Sequence, residues 1–177
     1  VWSPKVDGLP GEYRVGYYKS TAKADDVLKD ANGQYAAVSG DAYRSHSSKS
    51  GYWFVAQQQL TDHNGDKNRG LHIAANATFH DKDTNTVDNY QQLMLTYKGP
   101  FNARPKDDVG IGIARIHVNE DVQKNRKLIN AGNGFNDYDQ AGFLPIQDTE
   151  YNAEINYGFH VTNWLTVRPN LQYVKHP

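Results

Sequence analysis

The sequence contains no cysteine, so disulfide frameworks, thiolate metal sites and cysteine nucleophiles are excluded. Methionine occurs once, only 38% of the 177 residues are hydrophobic, and mean hydropathy is -0.79. Apolar side chains are too scarce to fill a thick core and must be placed economically. An excess of either charge is missing as well: 19 Lys and Arg face 20 Asp and Glu. That balance removes the electrostatic basis for a dedicated nucleic-acid binder. No apolar run approaches the roughly 18 to 20 residues of a membrane-spanning helix, which excludes helical membrane proteins. The opening Val1-Trp2-Ser3-Pro4-Lys5 carries no secretory-signal pattern.

What the chain has in quantity is aromatic: 12 Tyr, 6 Phe and 3 Trp. Many amphipathic rings beside few large aliphatics suit strands with one wet and one apolar face. Alternation with period 2 runs almost throughout, and helical spacing is nearly absent. Leu71, Ile73, Ala75, Ala77 and Phe79 share one face against His72, Asn76, Thr78 and His80. Tyr151, Ala153, Ile155, Tyr157 and Phe159 oppose Asn152, Glu154, Asn156 and His160, and Leu165, Val167, Pro169, Leu171 and Tyr173 oppose Thr166, Arg168, Asn170 and Gln172. The fold class is all-β, with seven strands near 11–20, 51–60, 70–80, 90–98, 108–118, 150–160 and 164–175. A bulge after Ile113 would return Ile116 and Val118 to the apolar register that Arg115 interrupts. Helix competes only over Ala22 to Leu28, within a loop. Pro169 removes a ladder donor, so a bend or bulge is expected there.

The connections are 21–50, 61–69, 81–89, 99–107, 119–149 and 161–163. Both very long ones are odd-numbered, so an up-and-down antiparallel sheet carries its long loops at one end and its shortest turn at the other. That asymmetry, with strands of about 9 to 11 residues, is the pattern of a transmembrane β-barrel. Tyr13, Tyr97 and Phe159 fall toward the short-turn end, and Tyr17, Tyr52, Phe79, Tyr151 and Tyr173 toward the long-loop end. These eight form two candidate lipid-facing girdles. Arg14, Asn76, Glu154, Asn156, Thr166, Arg168, Asn170 and Gln172 fall on the opposite face and are the candidate lumen residues. The competing reading is a soluble carbohydrate-binding β-sandwich or small β-barrel, whose apolar face turns inward.

Five segments carry a family resemblance. They are Leu9-Pro-Gly-Glu-Tyr-Arg-Val-Gly-Tyr-Tyr18, Tyr90-Gln-Gln-Leu-Met-Leu-Thr-Tyr-Lys-Gly-Pro-Phe101, Asp107-Asp-Val-Gly-Ile-Gly-Ile-Ala114, Glu150-Tyr-Asn-Ala-Glu-Ile-Asn-Tyr-Gly158 and Trp164-Leu-Thr-Val-Arg-Pro-Asn-Leu-Gln-Tyr-Val174. Together they resemble the carbohydrate-selective outer-membrane porins of Gram-negative bacteria, the OprB type, and specifically the C-terminal half. The resemblance implies a sixteen-stranded barrel, monomeric or trimeric, that passes sugars such as glucose through a water-filled lumen in the bacterial outer membrane. Its partners would be small carbohydrates and outer-membrane lipid. Such porins close on an aromatic-ended strand, whereas this sequence ends Lys175-His176-Pro177. The expectation is therefore that the polypeptide continues on both sides, because seven open strands leave unpaired edges in lipid.

Enzymatic constellations are not found. Glu150 and Glu154 would stand about 13 Å apart along one strand, beyond the roughly 5 to 9.5 Å of a glycosidase pair. His72 and His80 share a face but lie over roughly 25 Å apart. Asp81-Lys-Asp-Thr-Asn85 opens like a calcium loop, yet Thr86 stands at the glycine position and Gln92 at the bidentate glutamate position. Asn64-Gly65 reads as a tight turn, and Gly110-Ile-Gly112 lacks the third glycine of a dinucleotide loop. No enzyme, metal or cofactor is expected.

Overall fold

The computed structural model describes residues 1–177. In chain order the elements are β1 (Lys5–Val6), β2 (Leu9–Ser20), β3 (Ala24–Asp30), α1 (Ala36–Ser39), β4 (Tyr43–His46), β5 (Lys49–Gln59), β6 (Gly70–His80), β7 (Val87–Lys98) and β8 (Asp108–Val118). They continue through α2 (Glu120–Gly132), β9 (Thr149–His160), β10 (Thr166–Val167) and β11 (Asn170–Lys175). One open antiparallel sheet runs in the order β1-β2-β5-β6-β7-β8-β9-β10, with β11 also on β9. Consecutive long strands are neighbours, as an up-and-down meander requires.

Register fixes the faces. Leu95, Ile111, Ile155 and Leu171 pair in succession across β7, β8, β9 and β11. Leu93, Ile113, Ala153 and Tyr173 form the next apolar row. No second layer covers these rows: Ile111 and Ile113, on a strand flanked on both sides, remain 54% and 58% exposed. The buried apolar residues are instead Leu9, Leu28, Ala36, Val118 and Val122, and all but Leu9 belong to the long-loop end. Hydrophobic burial thus closes the loops, while the sheet presents its apolar face outward.

The two long connections are not irregular. Within 21–50, β3 and β4 pair as a hairpin, and the segment from Ala24 that had helical spacing is strand. Within 119–149 lies α2, a helix absent from the periodicity reading because its run is mostly polar. Its start was nonetheless encoded: Asn119 caps it by accepting from the Asp121 amide at 3.0 Å, with Glu120 and Asp121 in the first turn. Asn119 also donates to the carbonyls of Lys82 at 2.6 Å and Asn85 at 2.9 Å, and the Val27 amide donates to Asp83 O at 2.8 Å. Asn130 exchanges bonds with the Leu144 backbone, each 2.9 Å. Loops 21–48, 81–86 and 119–148 therefore interlock through the Val27–Asp83 backbone bond and the hydrogen-bonded side chains of Asn119 and Asn130.

Two strand details differ from the sequence reading. The irregularity near Arg115 lies on the partner strand, between Val87 and Asn89 of β7, and β8 keeps its register through His117. Arg115 therefore stays on the face of Ile113. The strand expected over 164–175 is interrupted at Pro169, which has no N–H to return to Tyr157, although the Tyr157 amide still donates to Pro169 O at 3.1 Å. Register is unbroken across the gap, since Val167 pairs with Phe159 and Asn170 with Asn156.

Candidate functional site

The polar face is built from the alternate residues of the same strands. Arg14, Val55, Asn76, Gln92, Ala114 and Asn152 pair successively in one row. The next row runs Gln57, Ala74, Met94, Gly112, Glu154 and Gln172. In the middle of β8 this face is Gly110, Gly112 and Ala114, so the strand forms the floor of a trough. Gln92 and Met94 edge it on one side, Asn152, Glu154, Asn156 and Gln172 on the other, around a cavity of about 320 Å³.

Four of the eight candidate lumen residues meet here. Glu154 accepts from Asn156 Nδ2 at 2.9 Å and from Gln172 Nε2 at 2.6 Å. Arg168 donates to Asn156 Oδ1 at 2.9 Å and grips Asp108 with both guanidinium nitrogens, the Nη2 bond being 2.9 Å. The result is a chain Asp108, Arg168, Asn156, Glu154, Gln172 of charge-assisted bonds that orders donors and acceptors along the wall. Asn170 pairs with Asn156 in register, and Thr166 with His160 beyond the proline gap. Arg14 and Asn76 lie apart: Arg14 pairs with Glu12 at one sheet edge, and Asn76 accepts from the Thr78 hydroxyl at 3.2 Å. Five strand spacings of about 4.8 Å separate the Arg14 strand from that of Glu154. The eight form a strip along a wall, not a single pocket.

Asp108 was missed by sequence reasoning because it stands at a turn boundary, yet its parity with Gly110 and Gly112 places it on this face. Trp53, from a segment apolar on both sides, lies over Gly16, and Tyr18 lies over Gly51. Tyr18 also shares a 2.6 Å hydrogen bond with His80 Nδ1. Rings packed on glycines across the strand pair give this end of the polar face an aromatic lining.

At the short-turn end, Arg104 and Asp107 lock the 99–107 turn onto β9. Arg104 forks onto Asp107, donates to His160 O at 3.1 Å and lies 3.7 Å above the Phe159 ring centre. Asp107 also accepts from Tyr157 Oη at 2.6 Å and the His160 amide at 2.9 Å. The Arg104 fork, opposed by burial and helped by Tyr157 and the His160 amide, holds the Asp107 carboxyl far below the usual carboxylate range. At the opposite end, burial pushes Asp26 up, but the His46 bond at 3.0 Å and the Leu28 and Lys29 amides outweigh it and leave Asp26 below its ordinary value. Asp81 accepts from the Ser50 amide at 2.7 Å and from the Thr84 amide and hydroxyl, so the Asp81–Asn85 stretch is a capped turn.

The eight candidate girdle residues lie on the apolar face. Tyr17, Tyr52, Tyr151, Tyr173 and Phe159 are exposed, and Tyr52 stacks on Phe79 with ring centres 5.1 Å apart. Tyr13 and Tyr97 are half-buried, their hydroxyls engaged with Gln58 and His63 at 3.0 and 2.9 Å.

Comparison with known proteins agrees with this architecture. The family model described as carbohydrate-selective porin, OprB family, matches residues 1–177. Porin B of Pseudomonas aeruginosa is 64% identical over 179 residues, and a putative porin, QuiX, of Acinetobacter baylyi is 40% identical over 182. Each alignment covers 100% of this chain and 39% of the relative, so the chain spans about two fifths of their length. The high-pH structure of Pseudomonas putida OprB superposes with a TM-score of 0.95 at 70% identity, over 98% of this chain and 41% of that one. An all-β antiparallel sheet with its apolar side bare, matched along its full length by porin relatives, identifies the chain as a member of the carbohydrate-selective porin family, OprB type.

Proposed function

We propose that this sheet is part of the wall of a water-filled outer-membrane channel through which small sugars, glucose among them, diffuse passively. Family membership places it among the β-barrel porins of the Gram-negative outer membrane and favours a channel over a catalyst. The observation that carries the reading is the pairing of a bare apolar face with a hydrogen-bonded polar one. A soluble sandwich would cover Ile111 and Ile113 with a second sheet. Here they match the requirement of a surface solvated by hydrocarbon.

Sugar passage needs hydroxyls to exchange water for protein bonds without being held. The trough supplies such partners: Gln92, Asn152 and Gln172 are neutral donor-acceptors, while the Glu154 and Arg168 charges are already engaged by neighbours. Prior engagement weakens each site, which favours release over retention. Arg14, Asn76, Asn156, Thr166 and Asn170 extend the same polar wall, and the aromatic girdles seat the band between headgroup layers. The interlocked loops lie outside the cell and the 161–163 turn faces the periplasm, because short turns characterise that side. The polypeptide acts as monomer or trimer and uses no cofactor.

The test is flux in liposomes carrying the full-length porin. Glucose should enter far faster than a disaccharide or a sugar acid, without saturation at low concentration. Equal permeation by all three would remove carbohydrate selectivity, and no permeation would remove the channel.

A further inference from the structure

On the apolar face Arg115 is a permanent charge that no acidic side chain of these 177 residues pairs with. Arg115 stays on the side of Ile111 and Ile113 because β8 has no bulge. Its Nη1 donates to Asn89 Oδ1 at 2.5 Å, a neutral partner. No ion pair of the structure includes it. Gln91, Arg115, Tyr151 and Lys175 pair in succession across β7, β8, β9 and β11. Two cations thus stand two strands apart, about 10 Å, at the height of the girdle residue Tyr151 on the long-loop side. One row below lies an apolar groove of about 520 Å³ lined by Leu93, Ile113, Ala153 and Tyr173, with Arg115 and Lys175 at its upper end.

We propose that this groove holds a phosphorylated glycolipid of the outer leaflet, its phosphate on Arg115 and Lys175 and an acyl chain along Ile113 and Ala153. The inference rests on the lipid-facing assignment of this side of the sheet. On such a face an unpaired guanidinium is unfavourable as it moves from the interface toward the hydrocarbon. A lipid phosphate brings the missing negative charge at that depth, and the planar fork suits its oxygens bidentately. A free phosphate would match the charge but leave the groove below empty, so the ligand is a lipid and not an inorganic ion.

The experiment uses the full-length porin in detergent, with native mass spectrometry as the readout and bisphosphorylated lipid A as the probe. Arg115→Gln should weaken lipid A retention by about tenfold, and Arg115→Gln with Lys175→Gln further, while Arg115→Lys retains most of it. Dephosphorylated lipid A should bind wild type and variants alike. Unchanged retention in the double variant overturns the proposal. So does inorganic phosphate binding as tightly as the lipid, or an Arg115→Gln effect confined to dissociation of oligomers, which would assign the row to a second copy. A bimane probe on Ile111→Cys separates the underlying assignment: quenching by brominated acyl chains upholds the lipid-facing reading whatever the lipid A result. Absence of quenching overturns both.

Discussion

Arg168 and Asp108 form an ion pair that passes over Gly158. Asp108 pairs with Gly158 in register, and Arg168 approaches from the far side of the same strand. A Cβ at position 158 would collide with both the Asp108 carboxylate and the Arg168 guanidinium. Glycine is thus required here for side-chain clearance and not for backbone freedom.

Gly158→Ala should therefore separate the pair while leaving the sheet folded, because the Arg168 end is 44% exposed and can turn to solvent without breaking the strand ladder. The consequence is expected in the lumen: Asn156 loses the Arg168 donor and Glu154 gains mobility. In planar bilayers Gly158→Ala and Asp108→Asn should alter ion selectivity similarly, with little change in assembly. A full assembly defect in both would give the pair a structural role instead.

Leu171 tests the opposite face. It pairs with Ile155 in the middle apolar row, so Leu171→Arg should destabilise the porin by about 2 to 4 kcal/mol in vesicles. Gln172→Arg, one residue on, should be close to neutral. Urea unfolding of the two proteins measures the difference, and the reverse order would exchange lumen for lipid.

The resemblance segments and the alternation made most of this architecture legible. Strands over 70–80 and 108–118 match β6 and β8: apolar residues alternate throughout the first, and in the second Val109, Ile111 and Ile113 carry the pattern up to Arg115. The loop cap was not legible. Its helix α2 has only Val122, Leu128 and Ile129 as large apolar residues, so no apolar stripe could announce it. Its hairpin is held by Asp26 and Asp30, which accept from backbone amides two to four residues further on, local turn bonds that leave no apolar period to read. Likewise parity placed Glu154, Asn156, Arg168 and Gln172 on one face, but the carboxylate that anchors the Arg168 end of their chain, Asp108, stands at a strand end and was not read.

Asn119 is the residue on which the cap depends. Asn119→Ala removes a helix cap and leaves the Lys82 and Asn85 carbonyls without their buried donor, at a cost of about 1 to 3 kcal/mol. Protease added to intact cells should then nick 119–148 while the barrel keeps its heat-resistant mobility. Resistance equal to wild type would show that the loops are held elsewhere.

The Asp107 lock predicts an acid response confined to the short-turn end. Its folded pKa lies below the unfolded value, so its stabilisation is fully present above the ordinary carboxylate range. It is lost only as pH falls through the folded value, in strong acid. Between pH 7 and pH 5 hydrogen exchange in 99–107 should stay constant for wild type, whereas Asp107→Asn should raise exchange at every pH. A wild-type rise already near pH 6 would contradict the Arg104 fork.

The placement of Leu28, Ala36, Val118 and Val122 has a consequence for how this molecule tolerates change. A side chain packed against other side chains is judged by shape, because its neighbours are fixed and a vacancy is felt. A side chain facing fluid hydrocarbon has no fixed neighbour, so it is judged by polarity alone. On the proposed lipid-facing reading Ile111→Leu, Ile111→Val or Ile111→Phe should have little effect, whereas resizing Val122, enclosed in the cap, should not be tolerated. Shape is thus constrained in the loops and free along the bare apolar face of the strands, the reverse of an ordinary water-soluble domain.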